Sequence, residues 1–331
     1  IPVRRVPEAH WSGHSKAIFE TFKKANYKYL PDQNGFFEDG FFPITISNLE
    51  EQRVSVSMGY LNADIRKREN LHISTHTSVT ELLFEDMRCV GVKALVKGKP
   101  EEFRGREVIL SSGAIHSPAH LMRAGIGPAG HLHEMGIEVR ANLPGVGQRL
   151  MDHPSIAVAA FLEKFARMGD FTRRHLMVGL RYTSEIENAQ QGDMFIAGAS
   201  KSFWHDVGKQ FGSMIIFVNK TYSETGEVKL NSASWRDEPS VDFNLLSDKR
   251  DLDRLMEGVR LMASLHEHPK MAEVSSAAFP AVWGDKVRQF GTKNTFNELF
   301  TGLASKLLDG PKPLRKFLMD KFVVDAYTMK D

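Results

Sequence analysis

A chain of 331 residues is longer than one small hydrophobic core organises, so two domains are expected. Lys and Arg number 43 against 41 Asp and Glu, and a net charge of +2 removes the electrostatic case for nucleic acid or an anionic membrane as partner. At 42% hydrophobic and 25% charged the chain is ordinary globular protein, and its single cysteine, Cys89, excludes an internal disulfide and a thiolate metal cluster.

The opening "IPVRRVPEAH" is extended and Pro-punctuated, with neither a signal- nor a transit-peptide pattern. No apolar run reaches the ~18 residues that span a bilayer, so a cytoplasmic location is the default expectation. Ala17, Ile18, Phe22 and Ala25 recur at helical spacing and predict a helix over Ser12–Ala25. A loop rich in Gly and Phe, "DQNGFFEDGFFP", follows. Between 71 and 110, "LHISTHTSVTELLF", "CVGVKALVKG" and "EEFRGREVILSS" predict a three-stranded β-meander with turns at "EDMR" and "KGKP". The last run, Val108-Ile109-Leu110, is apolar without alternation, as in a parallel strand covered on both faces.

In "SSGAIHSPAHLMRAGIG" Ser117 reads as an N-cap, Pro118 as the first helical residue and Gly125 as the C-cap. The small residues before it let a ligand or another strand approach the backbone, at the kind of strand end where α/β sheets bind ligands. A tight turn with no ligand accounts for the same residues equally well. From 155 to 250 the segments "SIAVAAF", "DMFIAGAS", "SMIIFVNK", "EVKLNSAS" and "PSVDFN" are strand-like. "DKRDLDRLMEGVRLMASL" then predicts a helix with Leu252, Leu255, Met256, Val259 and Met262 on its apolar face, and Asn297 to Lys321 is again helical. For 151–331 an antiparallel sheet of about five or six strands with helices on one side is the economical arrangement.

Gly125-Ile-Gly127-Pro-Ala-Gly130 spells G-x-G-x-x-G, but a helix precedes it and Pro128 interrupts it, so it does not read as a dinucleotide loop. The pairs His10/His14, His131/His133 and His266/His268 lack HExxH spacing or a completing carboxylate; solvent-facing or capping roles are expected, and no metal site. No G-x-S-x-G elbow occurs. Asp152-His153-Pro154 is expected to be structural, and the basic run Lys312–Lys316 a solvated helix end.

Residues 108–154, "VILSSGAIHSPAHLMRAGIGPAGHLHEMGIEVRANLPGVGQRLMDHP", closely resemble the glucose–methanol–choline (GMC) oxidoreductases. Gly113-Ala114, Ser117-Pro118 and Gly125-Ile126-Gly127 match the family's second signature, with departures at His120 and Ala124. "EEQRVSVSMGYL" (with Gln52 in place of a glycine), "NLHISTHTSVTELLFE" and "SETGEVKLNSASWRDEPSVDFNLLSDKRDLDRLMEGVRLM" resemble further family segments, over roughly residues 1–270.

The resemblance implies an FAD enzyme, dehydrogenase or oxidase of choline- or alcohol-dehydrogenase type, passing hydride from an alcohol to flavin. It implies an α+β chain: part of an α/β FAD domain interleaved with a substrate domain. The expected division is 1–65 (substrate-domain segment and connection), 66–150 (partial FAD-binding domain) and 151–331 (substrate domain with antiparallel sheet and helices). Val79 matches a valine whose backbone meets the adenine side of FAD; Ser112, Gly113 and Ala114 match the strand end beside the cofactor. The family's Rossmann glycines and its His and Asn catalytic runs are not found, so no catalytic residue carries over. The chain by itself is therefore expected to be colourless and inactive. Its expected partner is a small alcohol, with self-association through an exposed FAD-domain surface. Alternatives are a flavin-free module binding a small ligand, and a lyase of the same family.

Overall fold

A computed structural model of the protein describes residues 2–49, 51–281 and 285–320. Helix α1 (Gly13–Lys24) precedes strand β1 (Gly40–Pro43), and β2 (Thr77–Glu85), β3 (Arg88–Val96) and β4 (Lys99–Arg104) follow. Helices α2 (Gly113–Arg123) and α3 (Ala129–Glu134) come next, then β5 (Gln148–Leu150), β6 (Ser155–Leu162), β7 (Leu176–Tyr182) and β8 (Met194–Ala199). Beyond them lie β9 (Phe211–Val218), β10 (Gly226–Lys229), β11 (Ser240–Asp242), α4 (Lys249–Glu267) and α5 (Pro269–Val274). Strand β12 (Ser275–Ala281) and helices α6 (Thr295–Leu308) and α7 (Lys312–Leu318) complete the labelled elements. The contacts divide the chain into two units that interleave in sequence: 1–62 with 153–220 and 249–331, and 63–152 with 221–248. Residues 221–248, expected with the sheet of 151–331, thus cluster with 63–152.

The first unit is built on a six-stranded sheet in the order β1-β7-β8-β9-β6-β12. Every pairing in it is antiparallel. Strand alternation sorts its side chains by face. Val158, Val178, Leu180, Ile196, Met214 and Ile216 join a core with Ile18 and Phe22 of α1 and Leu255, Met262 and Leu265 of α4. Burying a side chain such as Phe22 or Ile196 fully (each is 0% exposed) contributes about 1.5–3 kcal/mol. Helix α1 starts where predicted because Ser12 caps it, its Oγ accepting from the Ser15 amide at 3.0 Å. The opposite face carries Phe161 and Phe211, on which Leu308 of α6 and Met319 pack. Helices therefore occupy part of both faces, not one side alone.

The stripe on α4 also differs from expectation. Its buried residues are Asp251, Arg254, Leu255, Gly258, Met262, Leu265 and His266, whereas Leu252 and Met256 are 41% and 40% exposed. Asp251 and Arg254 turn inward because the Arg254 guanidinium pairs with both Asp251 and Asp193 inside the protein.

In the second unit the predicted meander is present as β2-β3-β4. Its second turn needs only Lys97 and Gly98, both at positive φ (49° and 81°), the geometry that matches a hairpin's twist. A second sheet, β11-β10-β5, lies in the same unit. The expected strand at Val108-Ile109-Leu110 is absent: the run is irregular and Ile109 is 84% exposed. Among the described residues no strand pairs with it, and an apolar run without hydrogen-bonding neighbours has no ladder to join. Helix α2 begins at Gly113, not at Pro118, which lies inside it. Ser117 is accordingly no N-cap; its Oγ instead accepts from the Ser112 amide at 3.0 Å, one turn back. The G-x-G-x-x-G run forms a helix stop and a short parallel pairing of Ile126–Gly127 with Ala141–Asn142, as its context foretold. Gly125 takes φ +81°, and a Cβ there would meet the Glu138 carbonyl at 2.3 Å.

Candidate functional site

Among the described residues each unit carries a cavity of ligand size. In the second unit a cavity of about 410 Å³ is lined by Thr80, Glu81 and Leu82 of β2, His120, Arg123 and Ala124 of α2 and its end, and Ala233, Ser234 and Trp235. Arg123 donates through Nη2 to the Asp237 carbonyl at 2.7 Å, while its buried Nε–H has no partner in the structure. Burial first, and then the Arg123 and His116 charges, push the His120 imidazole below its usual range. It is therefore neutral at pH 7.

The flavin residues inferred by resemblance, Val79, Ser112, Gly113 and Ala114, belong to the same unit but are not among the residues that line this cavity. Val79 lies on β2 directly before Thr80, half-buried and opposite Ala94. A β-bulge between Val79 and Glu81 takes backbone out of the ladder there, leaving polar groups for another partner. Ser112, Gly113 and Ala114 form the exposed entry to α2. Gly113 has φ +83°, and a Cβ on it would find nothing within 4 Å, so Val79 does not touch it. Because Pro118 has no N–H, the Ala114 carbonyl lacks its helical donor. Open backbone at both places and an orphaned Arg123 Nε–H fit a large group rich in hydrogen-bonding atoms.

In the first unit a cavity of about 450 Å³ opens on the sheet face that α6 leaves uncovered. Gln33, Asn34, Gly35 and Phe37 of the Phe-rich loop, Phe42 of β1, Arg181 of β7, Phe195 of β8 and Asn219 line it. Phe42 and Phe195 stack with centroids 6.0 Å apart, and Phe195 meets Phe217 at 6.1 Å. Arg181 was not anticipated. The available signal was a lone cation in the apolar strand "LMVGLRY", on the sheet face shared with Gly179.

Three histidine expectations fail. His14 and His266 are 0% and 7% exposed, neither solvent-facing nor capping, because α1 and α4 press them against the sheet. The His131 side chain is largely buried, its Nε2 accepting from the Leu230 amide at 3.0 Å, whereas His10 and His133 are exposed and the His268 ring caps α5, as expected. His153 Nδ1 lies 3.0 Å from the Val218 carbonyl, a structural contact. Among the described residues no cluster has the ligands for a metal ion, and no helix is long and apolar enough to cross a membrane.

The first unit thus presents an antiparallel sheet with an open aromatic face, and the second a meander and a small-residue helix entry. The family models for GMC oxidoreductase match residues 1–155 (N-terminal part) and 221–301 (C-terminal part), and the chain belongs to that family. It is 40% identical over 282 residues to the 5-(hydroxymethyl)furfural oxidase of Methylovorus sp. (strain MP688), covering 84% of this chain and 52% of that protein. To the oxygen-dependent choline dehydrogenase of Staphylococcus xylosus it is 30% identical, over 76% of this chain and 49% of the relative. The chain thus spans about half the length of these curated relatives. Among solved structures, pyridoxine 4-oxidase from Mesorbium loti superposes with a TM-score of 0.75 at 20% identity, covering 92% of this chain and 59% of that one. Formate oxidase of Aspergillus oryzae RIB40, studied for its FAD modification, also gives 0.75, at 18% identity over 97% and 61%. At such identities these structures speak for the fold.

Proposed function

We propose that the protein oxidises a small alcohol, CH–OH to C=O, with FAD as cofactor, as its relatives' names indicate for them. The observation that carries this reading is the uncovered, ring-lined end of the six-stranded sheet in a chain of this family. The sheet unit takes the substrate; the unit with the meander and α2 holds part of the cofactor. In the notation of the sequence, 1–65 and 151–331 supply the substrate side and 66–150 the partial FAD side, with 221–248 joining the latter. The backbone at Val79 and the entry Ser112-Gly113-Ala114 would hold FAD. When bound, FAD supplies the acceptor for the hydride leaving the alcohol carbon. No residue described here is assigned as the base that takes the hydroxyl proton.

The reading is tested by adding primary alcohols anaerobically to the FAD-loaded full-length protein, of which this chain is the part that carries the sheet. Loss of the flavin's visible absorbance, with an equivalent of aldehyde, is expected. FAD retained but unbleached by every alcohol would favour a lyase, and no FAD retained would favour the flavin-free module.

The cofactor residues have a separate test. Gly113 and Gly98 share positive φ (+83° and +81°) and open space beyond Cα, so alanine strains both alike, by about 1 kcal/mol. Gly113→Ala is expected to lower the flavin-to-protein absorbance ratio several-fold, and Gly98→Ala to leave it unchanged. Equal ratios would remove Gly113 from the cofactor site.

A further inference from the structure

Alternation along β7 sends Val178, Leu180 and Tyr182 into the core and leaves Gly179 and Arg181 on the opposite, cavity-bearing face. Arg181 is only 6% exposed, yet among the described residues no carboxylate lies within ion-pair distance of it. Asp39 favours its charge from beyond that distance; its Oδ2 accepts from the Thr183 amide at 2.9 Å, and its Oδ1 is buried without a hydrogen-bond partner among the described residues. A buried charge without a counter-ion is costly, and such charges are normally paired.

Its donors are partly spent. Nε donates to the Glu38 carbonyl and Nη2 to the Gln33 carbonyl, both at 3.1 Å. These two bonds, and the rings of Phe37 and Phe42 at 4.1 and 5.3 Å from Cζ, fix the plane of the guanidinium. Nη1 has no hydrogen-bond partner among the described residues, and it is not among the buried unpartnered atoms, so it reaches the cavity. Lys220 adds a second positive charge 5.3 Å from the Phe37 ring. The remaining walls, Phe42 and Phe195, are flat and apolar, and about 450 Å³ accommodates a ring-sized ligand.

We propose that this cavity is a subsite for a carboxylate borne by a flat-ringed substrate, with the Arg181 guanidinium as its anion partner. The inference rests on the reading of this sheet face as the substrate side. It names the substrate class: an alcohol or its aldehyde whose ring carries a carboxylate away from the reacting carbon. Free guanidinium N–H groups give a charge-assisted, planar match to a carboxylate. The same geometry disfavours a quaternary ammonium, because Arg181 already covers the faces of Phe37 and Phe42 that would attract one.

Calorimetric titration of the purified protein with benzoate, benzamide and benzyltrimethylammonium tests this without turnover. Benzoate should bind about tenfold more tightly than benzamide, as a charged hydrogen bond predicts, and the ammonium should not bind measurably. Arg181→Met should bring benzoate down to the level of benzamide. Phe195→Ala should weaken both while preserving their ratio, and it locates the site even if the arginine variant does not fold. Equal affinity for benzoate and benzamide, a benzoate preference that survives Arg181→Met, or affinities unchanged by Phe195→Ala overturns the proposal. Because binding is read directly, alcohols that bleach the flavin without any benzoate preference refute the subsite alone. Benzoate preference without alcohol oxidation refutes the proposed function alone.

Discussion

Arg254→Leu is expected to destabilise the protein by about 3–5 kcal/mol, the cost of stranding buried carboxylates. Arg254 and Asp251 are 0% exposed and Asp193 is 1% exposed. Arg254 Nη1 donates to Asp193 Oδ2 at 2.9 Å, and Nη2 donates to Asp251 and, at 2.8 Å, to the Lys220 carbonyl. Asp193 also accepts from the Ser184 amide at 2.8 Å and hydroxyl at 2.7 Å. Removing the guanidinium takes its charged hydrogen bonds from two carboxylates in a low-dielectric interior. Urea denaturation measures the loss. Adding Asp193→Asn and Asp251→Asn to Arg254→Leu should recover part of it, since the stranded charges go with the cation. A loss of less than about 1 kcal/mol for Arg254→Leu would mean that water reaches the cluster.

Acid should unfold the protein well before its carboxylates titrate. Burial first, and then the charge of His266, lowers the His14 pKa to about 3; burial lowers that of His266 to about 4, with the Val158 backbone pulling the other way. Above pH ~6.5 both rings are neutral in the folded and the unfolded chain, and they cost nothing. Below it the unfolded chain takes up protons that the folded chain refuses, so stability falls as pH falls from about 6.5 toward about 4. Each histidine removes about 2–3 kcal/mol by pH ~4.5. His14→Gln cannot titrate, so its urea midpoint should decline less between pH ~7 and ~4.5 than that of the parent. Parallel declines would show that His14 is protonated in place.

Much of the architecture was written in local patterns. Period-two alternation marked the first strand of the meander, and strand-like runs marked β6, β8 and β9 but missed β7, while helical spacing placed α1 to within a residue at each end. The bounds of α2 misled, because Ser117-Pro118 has the chemistry of a helix start whether or not a helix is already running. Val108-Ile109-Leu110 misled for another reason: an apolar run becomes a strand only beside partner strands, and pairing is a non-local event.

What the sequence by itself determined is the family, the alternation of strand and helix, and the false dinucleotide motif, because each rests on residue order and local conformation. Only the tertiary structure decided which charges and histidines go inside. Periodicity assigns Asp251 and Arg254 to solvent, since an isolated helix gains nothing by burying them. Asp193, 61 positions from Arg254 and directly before β8, makes that burial possible from a distant part of the chain. Arg181 follows the same logic. Its strand reads as apolar core, and only the pairing of β1, β7 and β8 sets its guanidinium among Phe37, Phe42 and Phe195, over a cavity that no local pattern encodes.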